Sequence, residues 1–140
     1  MINIRDAKKE DVEEARKFLS VKELSWRGQT YSFAYFERLV NTAEGAVFLV
    51  AEENGEMVGV VYGEYSARED WSVLMGVAVK EGFRGKGIGK ALIEKFEETV
   101  RGECISMVEI DANVETLGKF IEKLGYEKGN ICVNCRKMLR

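Results

Sequence analysis

The residues richest in chemical possibility form one short run, Arg84-Gly85-Lys86-Gly87-Ile88-Gly89-Lys90. The apolar stretch Val77-Ala78-Val79 precedes it, and a helical pattern of apolar residues follows. A strand that runs into a glycine-rich turn opening a helix suits phosphate. The first N–H groups of a helix have no partner within it and carry partial positive charge. They therefore bind anionic oxygens well. Glycine lets a phosphate reach the backbone with no side chain in the way. Arg84, Lys86 and Lys90 add formal charge at the same place. Two familiar phosphate loops do not fit. A Walker A loop needs G-x-x-x-x-G-K-[ST]; Gly82 and Gly87 have the spacing, but Ile88 stands where Lys is required. A Rossmann fingerprint needs G-x-G-x-x-G, and Leu92 stands where a third glycine would follow Gly87 and Gly89.

Other chemistries are excluded by what is missing. The chain has no His. That rules out a Ser-His-Asp or Cys-His pair and any His-containing metal site. The cysteines are Cys104, Cys132 and Cys135, short of the four ligands of a structural zinc site. Cys132 and Cys135 fall in a strand-like run, about 10 Å apart on opposite faces, too far for a disulfide. No metal or redox role is expected. A net charge of −3 and a pI near 5.2 disfavour nucleic acid as a partner and suit a cationic amine substrate. No apolar run approaches the ~20 residues of a membrane span. The start, Met1 to Asp6, reads as a strand and not as a signal peptide. A cytoplasmic protein without a membrane partner is the expectation. Its 140 residues suit one domain, residues 1–140. Glu is abundant and Gln occurs once, a composition resembling that of thermophile proteins.

The elements that must position the phosphate turn follow from pattern. Ile2 and Ile4 begin a strand. Asp11, with Glu14 three residues on, looks like the cap of a helix carrying Val12, Ala15 and Leu19 inward. A second helix is expected over Ser32 to Val40. Trp26 and Tyr31 stand in the polar connection, at a substrate groove or at the edge of the core. Ala46 to Glu52 and Met57 to Tyr65 read as strands joined at Asn54-Gly55, a strong hairpin signal. Trp71 to Val79 is a third run, and a long helix is expected from Gly87 to Arg101 with Ile88, Leu92, Ile93, Phe96 and Val100 inward. Cys104 to Asp111 reads as a strand. Glu115 to Leu124 reads as a helix with Leu117, Phe120, Ile121 and Leu124 inward, stopped by Gly125. A last strand is expected to end near Leu139. The order predicts an α/β fold, a mixed sheet flanked by helices.

The turn fits R-x-x-G-x-G, as Arg84-Gly85-Lys86-Gly87-Ile88-Gly89. It resembles the pyrophosphate-binding motif of the GNAT superfamily of acetyltransferases. The second half agrees: Val108-Glu109-Ile110, then Asn113, then Glu122-Lys123-Leu124-Gly125-Tyr126 is similar to that family's "LEV…N…EKLGF" segment. The resemblance covers nearly the whole chain. It implies a single-domain sheet whose central strands splay apart beside the phosphate-binding helix. It implies acetyl-CoA as cofactor, with its pantetheine arm in the gap against Val77, Ala78 and Val79. The pyrophosphate would lie on Gly85, Gly87, Ile88, Gly89 and Lys90, with Arg84 and Lys86 beside them. Asn113 and Phe120 fall where the family contacts the cofactor. The implied activity is transfer of an acetyl group to an amine by direct attack on the thioester.

The catalytic groups depart from the family's pattern. The Tyr that often protonates the departing thiolate would fall at Ile121 counted from Leu124-Gly125, or at Phe120 counted from Asn113. Neither has a hydroxyl. A base Glu sometimes stands on the strand before the phosphate turn, but Ser72-Val73-Leu74-Met75-Gly76 holds no carboxylate. The Glu of "LEV" maps onto Glu109, the candidate base, with Glu64 and Asp70 as further candidates. An acyl-CoA-binding sensor or regulatory module is the alternative. The acceptor is left open among small amines, polyamines, amino acids and protein amines. Specificity is expected from the hairpin and from residues 24–35.

Overall fold

The computed structural model describes residues 1–19, 33–42, 44–110, 118–130, 135, 137 and 139. Strand β1 (Asn3–Asp6) leads through a 3₁₀ turn (Lys9–Asp11) to helices α1 (Val12–Leu19) and α2 (Phe33–Asn41). Strands β2 (Ala46–Glu53), β3 (Glu56–Ser66) and β4 (Trp71–Val79) follow, then α3 (Ile88–Gly102), β5 (Glu109–Ile110) and α4 (Gly118–Lys123). The sheet order is β1-β2-β3-β4-β5. The first four strands pair antiparallel, and β5 runs parallel to β4. This is the mixed α/β sheet that the pattern predicts.

The β2–β3 hairpin turns where the Asn-Gly pair placed it. Asn54 and Gly55 have φ of 52° and 78°, the two left-handed residues that this tight turn demands. Strand β3 is buried from Met57 to Gly63, because both faces of the sheet are covered. On one face Leu92, Ile93 and Phe96 of α3 pack on Leu49, Val58, Val61 and Leu74. On the other, Val12, Ala15, Phe36 and Leu39 pack on Phe48, Val50, Val60 and Tyr62. The five residues expected to face inward on α3 are the five that are buried, each stabilising by about 1.5–3 kcal/mol. Glycine permits close approach of helix to strand and of side chain to neighbouring strand. A Cβ at Gly63 would lie 2.8 Å from the Phe96 ring, and one at Gly76 would lie 2.5 Å from the Tyr62 ring.

Several expectations are corrected. Asp11 does not cap α1 with Glu14. It ends the preceding 3₁₀ turn, where its carboxylate accepts the Lys8 N–H at 2.7 Å and the Arg5 guanidinium at 2.7 and 3.0 Å. The carboxylate thus closes the 3₁₀ turn locally and binds a charged partner on β1 as well. The strand expected from Cys104 is reduced to Glu109–Ile110 among the described residues. Cys104 instead takes a left-handed φ of 64°, and Ile105 is buried against α3. Helix α4 begins at Gly118 among the described residues, and Gly125 stops it with a φ of 92°. Phe120 does not face inward; it is 37% exposed, while Ile121 is buried. Trp26, Tyr31, Asp111, Asn113, Leu117 and Cys132 lie outside the described residues, as does most of the expected last strand.

Candidate functional site

The site is built where β4 ends and α3 begins. Lys80 donates its N–H to the Val58 carbonyl at 2.8 Å. Strand alternation then aims the backbone groups of Val77 and Val79 away from β3, toward the side where β5 lies. On that side β4 pairs at two positions, Val73 with Glu109 and Leu74 with Ile110. Beyond Leu74 the edge of β4 is unpaired there among the described residues. Arg84 folds back and donates Nε–H to the Val79 carbonyl at 2.8 Å, fixing its guanidinium at the end of that edge.

The turn itself is a backbone cradle. Gly82, Gly85 and Gly87 have φ of 89°, 78° and 84°, which other residues adopt only with strain. Nothing lies within 4 Å of where their Cβ atoms would be, so the turn is open. Gly87 is the N-cap of α3 and has no capping side chain. Its carbonyl takes the Ala91 N–H at 3.0 Å, the first bond of the helix. The N–H groups of Ile88, Gly89 and Lys90 have no carbonyl four residues back within α3. The Lys86 ammonium lies 5.4 Å from the Phe83 ring centroid, on the same turn. Phe120 of α4 and Val79 both come to 3.6 Å from where a Gly89 Cβ would be. The half-exposed Phe120 ring thus borders the cradle instead of filling the core.

The carboxylates occupy the opposite end of the sheet. Cross-strand register sets Glu64, Val73 and Glu109 side by side on β3, β4 and β5, on the face that α1 and α2 cover. Glu64 and Glu109 are exposed and have no hydrogen-bond or ion-pair partner among the described residues. Asp70 is different. Its carboxylate accepts the Ser106 N–H at 2.7 Å and the Ser106 hydroxyl, which hold its pKa below the usual carboxylate value. Asp70 is thereby spent on structure, and Glu109 and Glu64 remain as candidate bases. One step along β4, the register slips at Tyr62/Gly63 and leaves Met75 as an extra residue. Its sulfur accepts the Tyr35 hydroxyl at 3.1 Å. Sequence reasoning missed this contact, because nothing local in either residue signals a bulge on β4 facing α2. An open concavity of about 320 Å³ lies beside it, with Tyr35, Arg38, Glu44 and Glu64 on its walls.

Phe120 and Ile121 offer no hydroxyl, as read from the sequence. Among the described residues, no group of three or more Cys, Asp or Glu side chains is arranged to hold a metal. None of their helices is long and apolar enough to cross a membrane.

Residues 11–126 match the model of the Acetyltransferase (GNAT) family. Among solved structures, the chain is similar to the aminoglycoside N-acetyltransferase AAC(6')-Iy in complex with CoA. That likeness has 19% identity and a TM-score of 0.82, over 99% of this chain and 96% of the other. It is similar to the PaiA N-acetyltransferase of Thermoplasma acidophilum in complex with coenzyme A, at 20% identity and a TM-score of 0.76, over 88% and 87% of the two chains. The ribosomal-protein-S18-alanine N-acetyltransferase of Escherichia coli follows at 17% identity and a TM-score of 0.75, over 93% and 80%. At these identities the likeness is one of fold.

Proposed function

The chain belongs to the Acetyltransferase (GNAT) family, and on that premise we propose that it is an acetyl-CoA-dependent N-acetyltransferase acting on a primary amine. The observation that carries this reading is the open glycine cradle at Gly85 and Gly87, set against an edge of β4 that is unpaired beyond Leu74 among the described residues. The residues fit the cofactor. Unshielded backbone N–H groups at the start of α3, with Arg84, Lys86 and Lys90 around them, suit a pyrophosphate. The outward backbone groups of Val77 and Val79 suit an amide-bearing arm laid along the strand. Phe120 gives an apolar border to the same cradle, and Asn113 is assigned there by the resemblance alone.

Acetyl-CoA supplies an activated acyl group, so the chain need only bind, orient and move protons. An amine attacks when neutral, which requires a base to take its proton directly or through water. Glu109 is that base in this reading, because it has no partner among the described residues and lies at the end of their β4–β5 ladder. A backbone N–H of Val77 or Val79 serves as the donor to a developing oxyanion. No dedicated acid is needed, since a thiol pKa near ~8.5 makes thiolate a fair leaving group. Glu64 and the acidic balance of the chain favour a cationic acceptor, taken in a cytoplasmic setting. The similar proteins include an aminoglycoside N-acetyltransferase and a ribosomal-protein N-acetyltransferase, so both small and protein amines belong in the test.

The test is a thermal shift with CoA, followed by thiol release from acetyl-CoA with a panel of amines. Ligand that binds only the native state raises apparent stability. CoA should raise the melting temperature of the wild type. It should not raise that of Gly87→Asp, which sets a negative charge against the phosphates. A folded Gly87→Asp that binds CoA like the wild type would refute the cradle. The absence of a hydroxyl at Phe120 and Ile121 favours a second reading, an acyl-CoA-binding sensor. CoA binding without thiol release from any amine would select it.

A further inference from the structure

Three hydrogen bonds tie β4 to the segment before β5, all at one end of their short ladder. Ser72 donates its hydroxyl to the Met107 carbonyl at 2.7 Å. Asp70 holds both the N–H and the hydroxyl of Ser106. Immediately beyond come the Val73–Glu109 and Leu74–Ile110 pairs, and then an edge of β4 that is unpaired among the described residues. The two pairs of this parallel ladder among the described residues have little to hold them by themselves.

Both anchoring residues are costly choices unless the tie matters. Ser72 is the one buried polar residue among those described, with no exposed surface. Burying a hydroxyl is unfavourable unless it is hydrogen-bonded, and an apolar residue would pack there without that cost. Asp70 sits at a left-handed φ of 49°, where glycine would be unstrained. Among the described residues this strand pair is pinned at one end and unpaired past Leu74, a fork whose angle the pin sets.

We propose that Asp70 and Ser72 are positioning residues for the transfer reaction: through Ser106 and Met107 they pin the base of the β4–β5 fork. The pin fixes where Glu109 stands relative to the open edge at Val77 and Val79. The inference rests on the cofactor reading above, since the fork matters to the reaction only if the acyl donor lies in it.

Asp70→Gly separates the pin from ordinary stability, because it removes the carboxylate while relieving the backbone. Ser106→Ala removes one bond, and Ser106→Thr restores the hydroxyl at an exposed position. Three quantities are measured on each: melting temperature, CoA dissociation constant by calorimetry, and amide hydrogen exchange at residues 73, 74, 109 and 110 without ligand. Asp70→Gly should melt within a few degrees of the wild type yet bind CoA about 3- to 10-fold more weakly. Its ladder amides should exchange faster while those of Val50 and Val60 do not change. Ser106→Ala should move the same way, and Ser106→Thr should return to wild-type binding. Unchanged CoA affinity in Asp70→Gly and Ser106→Ala would overturn the proposal, whether or not exchange quickens. A wild type that binds no CoA would instead sink the cofactor reading, and the exchange measured without ligand would still show whether these bonds hold the fork.

Discussion

Glu109 and Tyr126 illustrate what single residues contribute. Glu109 has no partner among the described residues and lies at the last paired positions of β4 and β5. As the base it should be felt in the chemical step alone. Glu109→Gln is expected to lower turnover by about 10- to 100-fold, with CoA affinity nearly unchanged. The rising limb of the pH–rate profile should move in the variant. Unaltered turnover with a good acceptor below saturation would remove Glu109 from the mechanism. Tyr126 closes the Glu122-Lys123-Leu124-Gly125-Tyr126 segment, and its hydroxyl is buried without a hydrogen-bond partner among the described residues. Burial, and then the charge of Glu97, push its ionisation well above the ordinary phenol range. Such a hydroxyl is a cost, so Tyr126→Phe should raise stability by about 1 kcal/mol, visible as a higher denaturant midpoint with an unchanged slope. A lowered midpoint would mean that the hydroxyl has a use. The glycine turn was legible because a phosphate cradle needs residue types in a fixed local order. The roles of Asp70 and Ser72 were not, because their partners lie 36 and 35 residues away.

Elements with a regular period were readable, and those held by distant partners were not. Strand β4 follows from an apolar run rich in Val and the inward face of α3 from a period of 3.6, both carried by local sequence. The strand expected from Cys104 to Asp111 shrank because side-chain bonds, not a backbone ladder, hold its first half. The start of α1 at Val12 fell where expected, but the partners of Asp11 did not, since its carboxylate binds Arg5 of β1 and the Lys8 N–H. Arg5 forks onto Asp11 and also reaches Glu52 at 3.2 Å, joining β1, the 3₁₀ turn and β2. The Arg5 hydrogen bond is the largest cause holding the Asp11 pKa below the usual carboxylate value, and likewise that of Glu52. A carboxylate with a depressed folded pKa stabilises above its unfolded value near ~3.9. That contribution is lost as pH falls through the folded value. Thermal melts should therefore show stability falling as the pH drops below about 4. Arg5→Ala should be less stable at neutral pH and lose less on acidification. Parallel acid limbs for the two proteins would show that the cluster contributes nothing to the acid transition.

The molecule as a whole is a sheet with a core on each face, and its strands differ in how far the chain must travel to make them. The β2–β3–β4 meander closes through neighbouring turns. The Asp70–Ser106 and Ser72–Met107 bonds, and the Asn3–Glu52 bond at the far edge, span 36, 35 and 49 residues. Loop closure over such separations is slow, so local pairings tend to form first. On this basis the meander belongs to the folding nucleus, and the fork beside β5 closes after the rate-limiting step. Substitutions at the Asn54-Gly55 turn should slow folding, whereas Ser106→Ala should chiefly speed unfolding. Coenzyme A, if it needs the closed fork, has nothing to hold in the transition state. Added during refolding in a stopped-flow experiment, it should leave the folding rate as it is and slow unfolding alone. A chain of this design would recognise its ligand only once folding is complete, and the ligand would act as a lock on the finished structure and not as a template for it.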